Sequence, residues 1–271
     1  MKRARVLPLL PAALVVGVLF GGALLGAVRT SLQPGPAGLF GEPSLDAWRA
    51  VLSDVAFRDA LLFTSAVTVV ATVLAAVIAV AFAAALRRHG AALQGLFGLP
   101  VLLPHLVIAV VAVIWIGPGG LADRLIGGLP IELIRDRWGI GIIAVYAYKE
   151  APFLALLILA AWDASVTDRE EAAAVLGAGR LDRLRHVVWP AIRLPLTVGA
   201  LIAAAFTFGS FEVPLVVGPT YPPTLAVLAL QETQTAAFAG QARASAILLV
   251  AAVVTIVLAV AAGRQVRDAR R

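Results

Sequence analysis

The chain contains no cysteine and only three histidines in 271 residues. Without thiols there is no disulfide, no thiolate zinc site, no iron–sulfur cluster and no cysteine nucleophile. His89, His105 and His186 lie far apart, with no HExxH or His-x3-His spacing, so a histidine metal site would need distant partners. Lysine is scarce too. Lys2 and Lys149 are the only two, and neither sits in a Gly-x4-Gly-Lys-Ser/Thr loop, so the phosphate cradle of an ATPase is missing. Charged residues make up 14% of the chain, against roughly 25% in a soluble domain. Hydrophobic residues make up 61%, and the mean hydropathy is +0.95. This balance argues against a soluble globular domain, a disordered chain and a nucleic-acid-binding module.

What is present is apolar length. Six stretches run over about 8–28, 60–86, 96–117, 140–162, 194–217 and 245–262. Each can cross ~30 Å of hydrocarbon as a helix. A helix satisfies its own backbone polar groups, as lipid demands. The first stretch follows Lys2, Arg3 and Arg5 and lacks a good small-x-small cleavage site, so it reads as an uncleaved anchor. Pro100, Pro104, Pro152 and Pro214 lie in or near spans and predict kinks rather than breaks.

The net charge of +6 is explained by topology. With the N-terminus in the cytoplasm, the inside segments 1–7, 87–95, 163–193 and 263–271 hold 14 Lys and Arg, and the outside segments 29–59, 118–139 and 218–244 hold 7. The positive-inside rule therefore favours both termini in the cytoplasm. Anionic lipid suffices to account for the basic balance, with no nucleic acid required. The expected organisation is an anchor helix at 1–28, a periplasmic loop at 29–59 with a short helix at 44–56, a five-helix core at 60–262 and a basic cytoplasmic tail at 263–271. Segment 218–244 dips into the membrane or lies on its surface. No strong internal repeat stands out.

The long inside loop, 163–193, is the informative one. Ser165 or Thr167 can cap a helix whose first turns carry Glu170 and Glu171, where acidic groups suit the dipole. Ala172 to Leu176 propagate it. Gly177 and Gly179 permit positive φ and end it. A second short helix over about 181–188 is limited by Pro190. Two short helices at a glycine corner make a projection small enough to enter a partner's groove. The competing reading is a solvated hairpin with no partner.

Glu171-Ala172-Ala173, three further residues and Gly177, then nine residues and Val187-Val188-Trp189-Pro190, resemble the EAA loop of binding-protein-dependent ABC importer permeases. That pattern expects Ile-x-Leu-Pro at its end, so Val187 is conservative and Trp189 is a departure. Trp48, Leu52, Phe57, Ala60-Leu61 and Thr64 resemble the family's approach to its second helix, and the similarity covers about Ser44 to Ala262. The resemblance implies an all-α, six-helix membrane protein with the type I (MetI-like) permease fold in a bacterial inner membrane. Such a subunit forms half of a translocation pathway and is not itself an enzyme. Glu171, Ala172, Ala173, Gly177, Gly179, Val187 and Pro190 would couple it to an ATPase. The partners implied are two ATPase subunits holding ATP and Mg, a second permease that is usually a different chain, a periplasmic or lipid-anchored solute-binding protein, and membrane lipid. This chain itself would bind no cofactor and no metal.

Polar groups inside the spans are candidates for the pathway. Lys149 and Glu150 sit mid-span, near Tyr146. They either neutralise each other and pack on a neighbouring helix or line the path. Glu212 lies in Phe208-Gly209-Ser210-Phe211-Glu212-Val213-Pro214, where carboxylate and aromatic faces suit a cation. The alternative for it is a gate or interface role. With Thr220-Tyr221-Pro222-Pro223, this stretch is similar to the spermidine/putrescine branch, which includes iron(III) and thiamine relatives, so a polyamine or another small polar solute is the expected cargo. His105 reads as a core histidine. Ser210 after Gly209 suggests a protease nucleophile, but the later spans hold no histidine base. Two other function classes remain. An ATP-independent secondary transporter or channel would use Lys149, Glu150 and Glu212 without a docking loop. A membrane enzyme would need a convergent catalytic cluster, which is missing.

Overall fold

The computed structural model describes residues 10–33, 42–127, 132–235 and 238–269. The described residues are helical, with no strand among them. In chain order the helices are α1 (Leu10–Ser31), α2 (Asp46–Ser53), α3 (Val55–Leu86), α4 (Ala91–Leu102), α5 (His105–Ile116), α6 (Leu121–Ile126), α7 (Ile140–Ala161), α8 (Ala164–Val175), α9 (Arg180–Arg183), α10 (Trp189–Gly209), α11 (Glu212–Val217), α12 (Leu225–Gln234) and α13 (Phe238–Asp268). A π-helical turn, Leu184–Val188, joins α9 to α10. Six segments are long and apolar enough to cross a membrane: Ala13–Ser31, Val55–Leu86, His105–Ile126, Ile140–Ala161, Arg180–Gly209 and Ala239–Asp268.

Two of the expected spans are broken rather than kinked. The third apolar stretch divides at Leu103 and Pro104 into α4 and α5. Pro104 has no N–H and disfavours the helical conformation at the residue before it, and Leu103 is extended, with ψ 137°. The membrane-length segment therefore starts at His105 instead of Leu96. The fifth stretch breaks at Ser210, where ψ is 142°, and resumes as α11. A proline clashes with the carbonyl four residues back, and for Pro214 that carbonyl belongs to Ser210. Pro100, Pro152 and Pro195 are retained inside α4, α7 and α10.

The chain forms two compact units. One comprises the described residues of 1–61 and 225–253. In it the Trp48 indole donates to Ser31 Oγ at 3.1 Å, linking α2 to the end of α1. Arg243 on α13 pairs with Asp54 and, at 3.2 Å, with Glu232 on α12. Leu225 to Ala229 of α12 are buried.

The other unit comprises the described residues of 62–224 and 254–271. Its core is built around α7. Ala75, Ala79 and Ala83 recur every four residues on α3, so they share one helix face, and all three are fully buried. They join Leu154 and Ile158 of α7 and Ile192 of α10 in one apolar cluster. Small side chains let apolar helices approach closely, which is where packing attraction in lipid comes from. Gly199 on α10 serves the same end, because a Cβ there would stand 2.6 Å from Leu157 and 2.8 Å from Leu154. A second cluster joins Ile108 and Ala109 of α5, Ile142 and Tyr146 of α7, and Val213 and Val217 of α11.

Candidate functional site

Two arrangements carry polar chemistry in the larger unit. The first is at the break between α4 and α5. Lys149 and Glu150 on α7 are only 6% and 8% exposed. Neither is left without a partner. Lys149 Nζ donates to the Val101 carbonyl at 3.1 Å, at the C-terminal end of α4. That carbonyl belongs to the last helical turn, where unsatisfied oxygens and the negative end of the dipole favour a cation. Glu150 Oε1 accepts from His105 Nε2 at 2.9 Å, at the first residue of α5. The adjacent pair on α7 thus holds both sides of the break in the neighbouring chain segment. The two side chains leave α7 in different directions, as successive helical residues do. Each finds its own partner instead of pairing with the other.

The His105 ring also stacks on Phe206 of α10, with centroids 4.3 Å apart, and lies 6.2 Å from the Tyr146 ring. Tyr146 is buried, and its hydroxyl has no hydrogen bond of normal geometry, although Ser210 lies close to it. Glu150 and Glu212 are both near enough to act on that hydroxyl electrostatically. Tyr146 thus lies close to Ser210 and within electrostatic reach of Glu150 and Glu212. Phe208 is buried, and Phe211 is exposed. Glu212 is half-buried in the first turn of α11, with no ion pair among the described residues.

The second arrangement is the segment from Asp163 to Val188. Its helix cap is Asp163 and not Ser165 or Thr167. Asp163 Oδ1 accepts from the Val166 N–H at 3.0 Å and from the Ser165 hydroxyl at 2.7 Å. These bonds, the Ser165 hydroxyl first, hold the Asp163 carboxyl below the usual carboxylate range. Gly177 has φ +88°, the left-handed conformation that non-glycine residues rarely adopt, so it makes the corner. Gly179 does not share that role, because its φ is −63° in an extended cap of α9. Pro190 does not end a second helix. It lies in the first turn of α10, where its missing N–H costs no intrahelical bond. The helical path therefore runs from α9 through the π turn into α10 without a stop.

A brace absent from the sequence reading fixes α8. Arg87, just past α3, pairs through both guanidinium nitrogens with the Glu170 carboxylate, with Nη2 3.1 Å from Oε1. The same guanidinium lies 4.4 Å over the Trp162 ring. The sequence singled out Glu171, yet Glu170 is the internally engaged carboxylate. Glu171 is exposed, with no ion pair among the described residues. Ala172 and Gly177 are exposed, and Ala173 and Val187 are half-buried. Around the corner, Val175 and Leu176 are each 87% exposed and Leu181 is 75% exposed. No proximity search on one sequence finds the brace, since 83 residues separate its members. The exposed apolar group was foreshadowed by Val175-Leu176-Gly177, a bulky pair ahead of a turn glycine.

The described residues hold no group of three or more His, Asp or Glu placed to bind a metal ion. The profile of the family described as binding-protein-dependent transport system inner membrane component matches residues 80–271. The inner membrane ABC transporter permease protein YnjC of Escherichia coli K12 is 29% identical over 69% of this chain and 37% of its own length. The thiamine transport system permease protein ThiP of Brucella abortus is 33% identical over 45% of this chain and 23% of its own. The chain thus spans well under half the length of these two relatives. A probable molybdenum permease of Haloferax volcanii is 29% identical over 48% of this chain and 45% of its own. The fold matches a crystallised bacterial alginate ABC transporter chain, with a TM-score of 0.79 at 19% identity, over 98% of this chain and 96% of that one. That complex contains an alginate pentasaccharide-bound periplasmic protein. With its six membrane-length apolar helices and a family match over most of its length, the chain is a multi-pass membrane protein that belongs to the binding-protein-dependent transport system inner membrane components.

Proposed function

We propose that the chain is one half of the membrane pathway of an ATP-driven importer, and that the segment 163–193 docks into an ATPase subunit. The observation that carries this reading is the corner itself. Val175, Leu176 and Leu181 are strongly exposed on a segment that Arg87 and Glu170 brace from behind. Lipid can cover exposed apolar side chains on a membrane helix, but this corner lies outside the apolar stretches of α7 and α10. Bulky apolar groups presented there suit a partner's groove. ATP and Mg belong to that partner, and both termini lie on the same, cytoplasmic side as the corner. A second permease, usually a different chain, supplies the other half of the pathway, and a periplasmic or lipid-anchored binding protein delivers the solute.

The solute is a small polar one, with a polyamine or another cation favoured. Glu212, at a break in the helix and within electrostatic reach of Tyr146, supports this reading. Breaks in membrane helices expose main-chain groups where a polar solute must pass. Lys149 and Glu150 act there by holding the α4–α5 break, which shapes the path without touching solute.

Gly177→Val tests the docking role. A β-branched residue in the left-handed conformation costs on the order of 1–2 kcal/mol, enough to move the corner but not to unfold six helices. The expected result is normal membrane insertion with loss of solute-stimulated ATPase activity in the assembled transporter. Wild-type coupled activity in this variant would refute the docking role.

A further inference from the structure

Arg87 and Arg88 follow directly on α3, and Arg180 and Arg183 stand on α9. All four line one cavity of about 460 Å³, with Glu170 and Trp162 in its wall. Glu170 is the one carboxylate there, and it is engaged by Arg87. Arg88, Arg180 and Arg183 have no ion pair among the described residues. The Arg183 Nε is buried with no acceptor. A buried donor without a partner is rare in folded proteins, and each one calls for a group that completes it. Cations gathered around one space repel each other, and the repulsion grows as water is excluded.

We infer that this cavity is a binding site for a phosphate group, carried by an anionic phospholipid or free in solution. Guanidinium forks match phosphate oxygens in geometry and charge, and they bond them more strongly than they bond neutral acceptors. Arg87 and Arg88 directly follow Leu86, the last residue of the apolar helix α3, and basic residues flanking a membrane-length helix attract anionic headgroups. A phosphate held there joins the end of α3 to α9, and so ties the glycine corner to the membrane-spanning body. The inference does not depend on the docking reading, because it concerns only this chain's own arginines.

The test uses the full chain in neutral detergent. Native mass spectrometry after equilibration with phosphatidylglycerol or phosphatidylcholine reads headgroup selectivity. The thermal midpoint with added inorganic phosphate reads the free anion. Phosphatidylglycerol should be retained over phosphatidylcholine, and retention should fall about fivefold for each arginine removed in Arg88→Gln and Arg180→Gln. Arg88 and Arg180 are exposed, so neither variant threatens the fold. If inorganic phosphate raises the midpoint and displaces the lipid, the ligand is the free anion. If phosphatidylglycerol stays bound against excess phosphate, the ligand is the headgroup. Equal retention of the two lipids together with no phosphate effect would overturn the site. So would variants that bind both probes as the wild type does but no longer co-purify with an ATPase, since the cavity would then receive a partner's carboxylate.

Discussion

The α4–α5 break and the glycine corner invert the ordinary placement of side chains in opposite ways. At the break, charged groups lie inside an apolar zone, yet Lys149 and Glu150 each meet a partner within this chain. At the corner, Val175 and Leu176 lie outside the membrane-length segments and stay exposed, and Leu181 is exposed beside them. The first inversion is resolved internally and therefore reports on architecture. The second is unresolved among the described residues, and that is the ground on which we propose a partner there. Chemical type alone does not separate a structural residue from an interface residue. What separates them is whether the chain itself supplies what the side chain needs.

Removing a partner at the break should cost most. Lys149→Met leaves the Val101 carbonyl at the end of α4 uncapped and Glu150 without a neighbouring cation. A loss of about 2–3 kcal/mol is expected, read as a lowered thermal midpoint in detergent. Glu150→Gln should cost less, because a neutral amide still accepts from His105. If Lys149→Met melts like the wild type, the clasp has no structural weight and Lys149 returns to the list of solute-contacting residues.

The brace behind the corner comes next. Glu170→Gln removes the charge that holds Arg87. Its effect should be about 1 kcal/mol after allowance for partial exposure. It should appear as faster amide exchange across α8 and α9 with little change in the rest of the larger unit. Exchange that rises equally in α7 would mean that the corner is no separate element.

The smallest effect concerns the cap. The Asp163 carboxyl is held below its ordinary range, so in the folded chain it releases its proton more readily than when unfolded. Its contribution is fully present above the ordinary carboxylate range and fades as pH falls through the lowered folded value. Amide shifts at Val166 should report fraying of α8 only under acid conditions. In Asp163→Asn that acid transition should vanish. A transition that persists in the variant would assign it to another carboxylate.

The sequence carried some of this and not the rest. Apolar length made the membrane helices visible, and Glu171-Ala172-Ala173 with Gly177 marked the corner, because those signals lie within a few residues of one another. The breaks were harder. Pro104 and Pro214 were visible, but whether a proline kinks or breaks a helix depends on what takes up the freed carbonyls. At Val101 that is Lys149, 48 residues away. The cap at Asp163 was missed for a local reason: Asp163, Ser165 and Thr167, at alternate positions, could all accept, and geometry chose the earliest. The Arg87–Glu170 brace was out of reach, since pairing across 83 residues depends on how α3 packs near α8.

The absence of cysteine makes the deciding measurement clean. A single Leu176→Cys places the only thiol of the chain on the exposed corner, at a position where stability should change by no more than about 0.5 kcal/mol. Its labelling by a water-soluble maleimide should be fast in the isolated chain and strongly suppressed once the ATPase subunits are assembled onto the purified transporter. Equal labelling rates with and without those subunits would contradict the claim that this corner is where the ATPase docks.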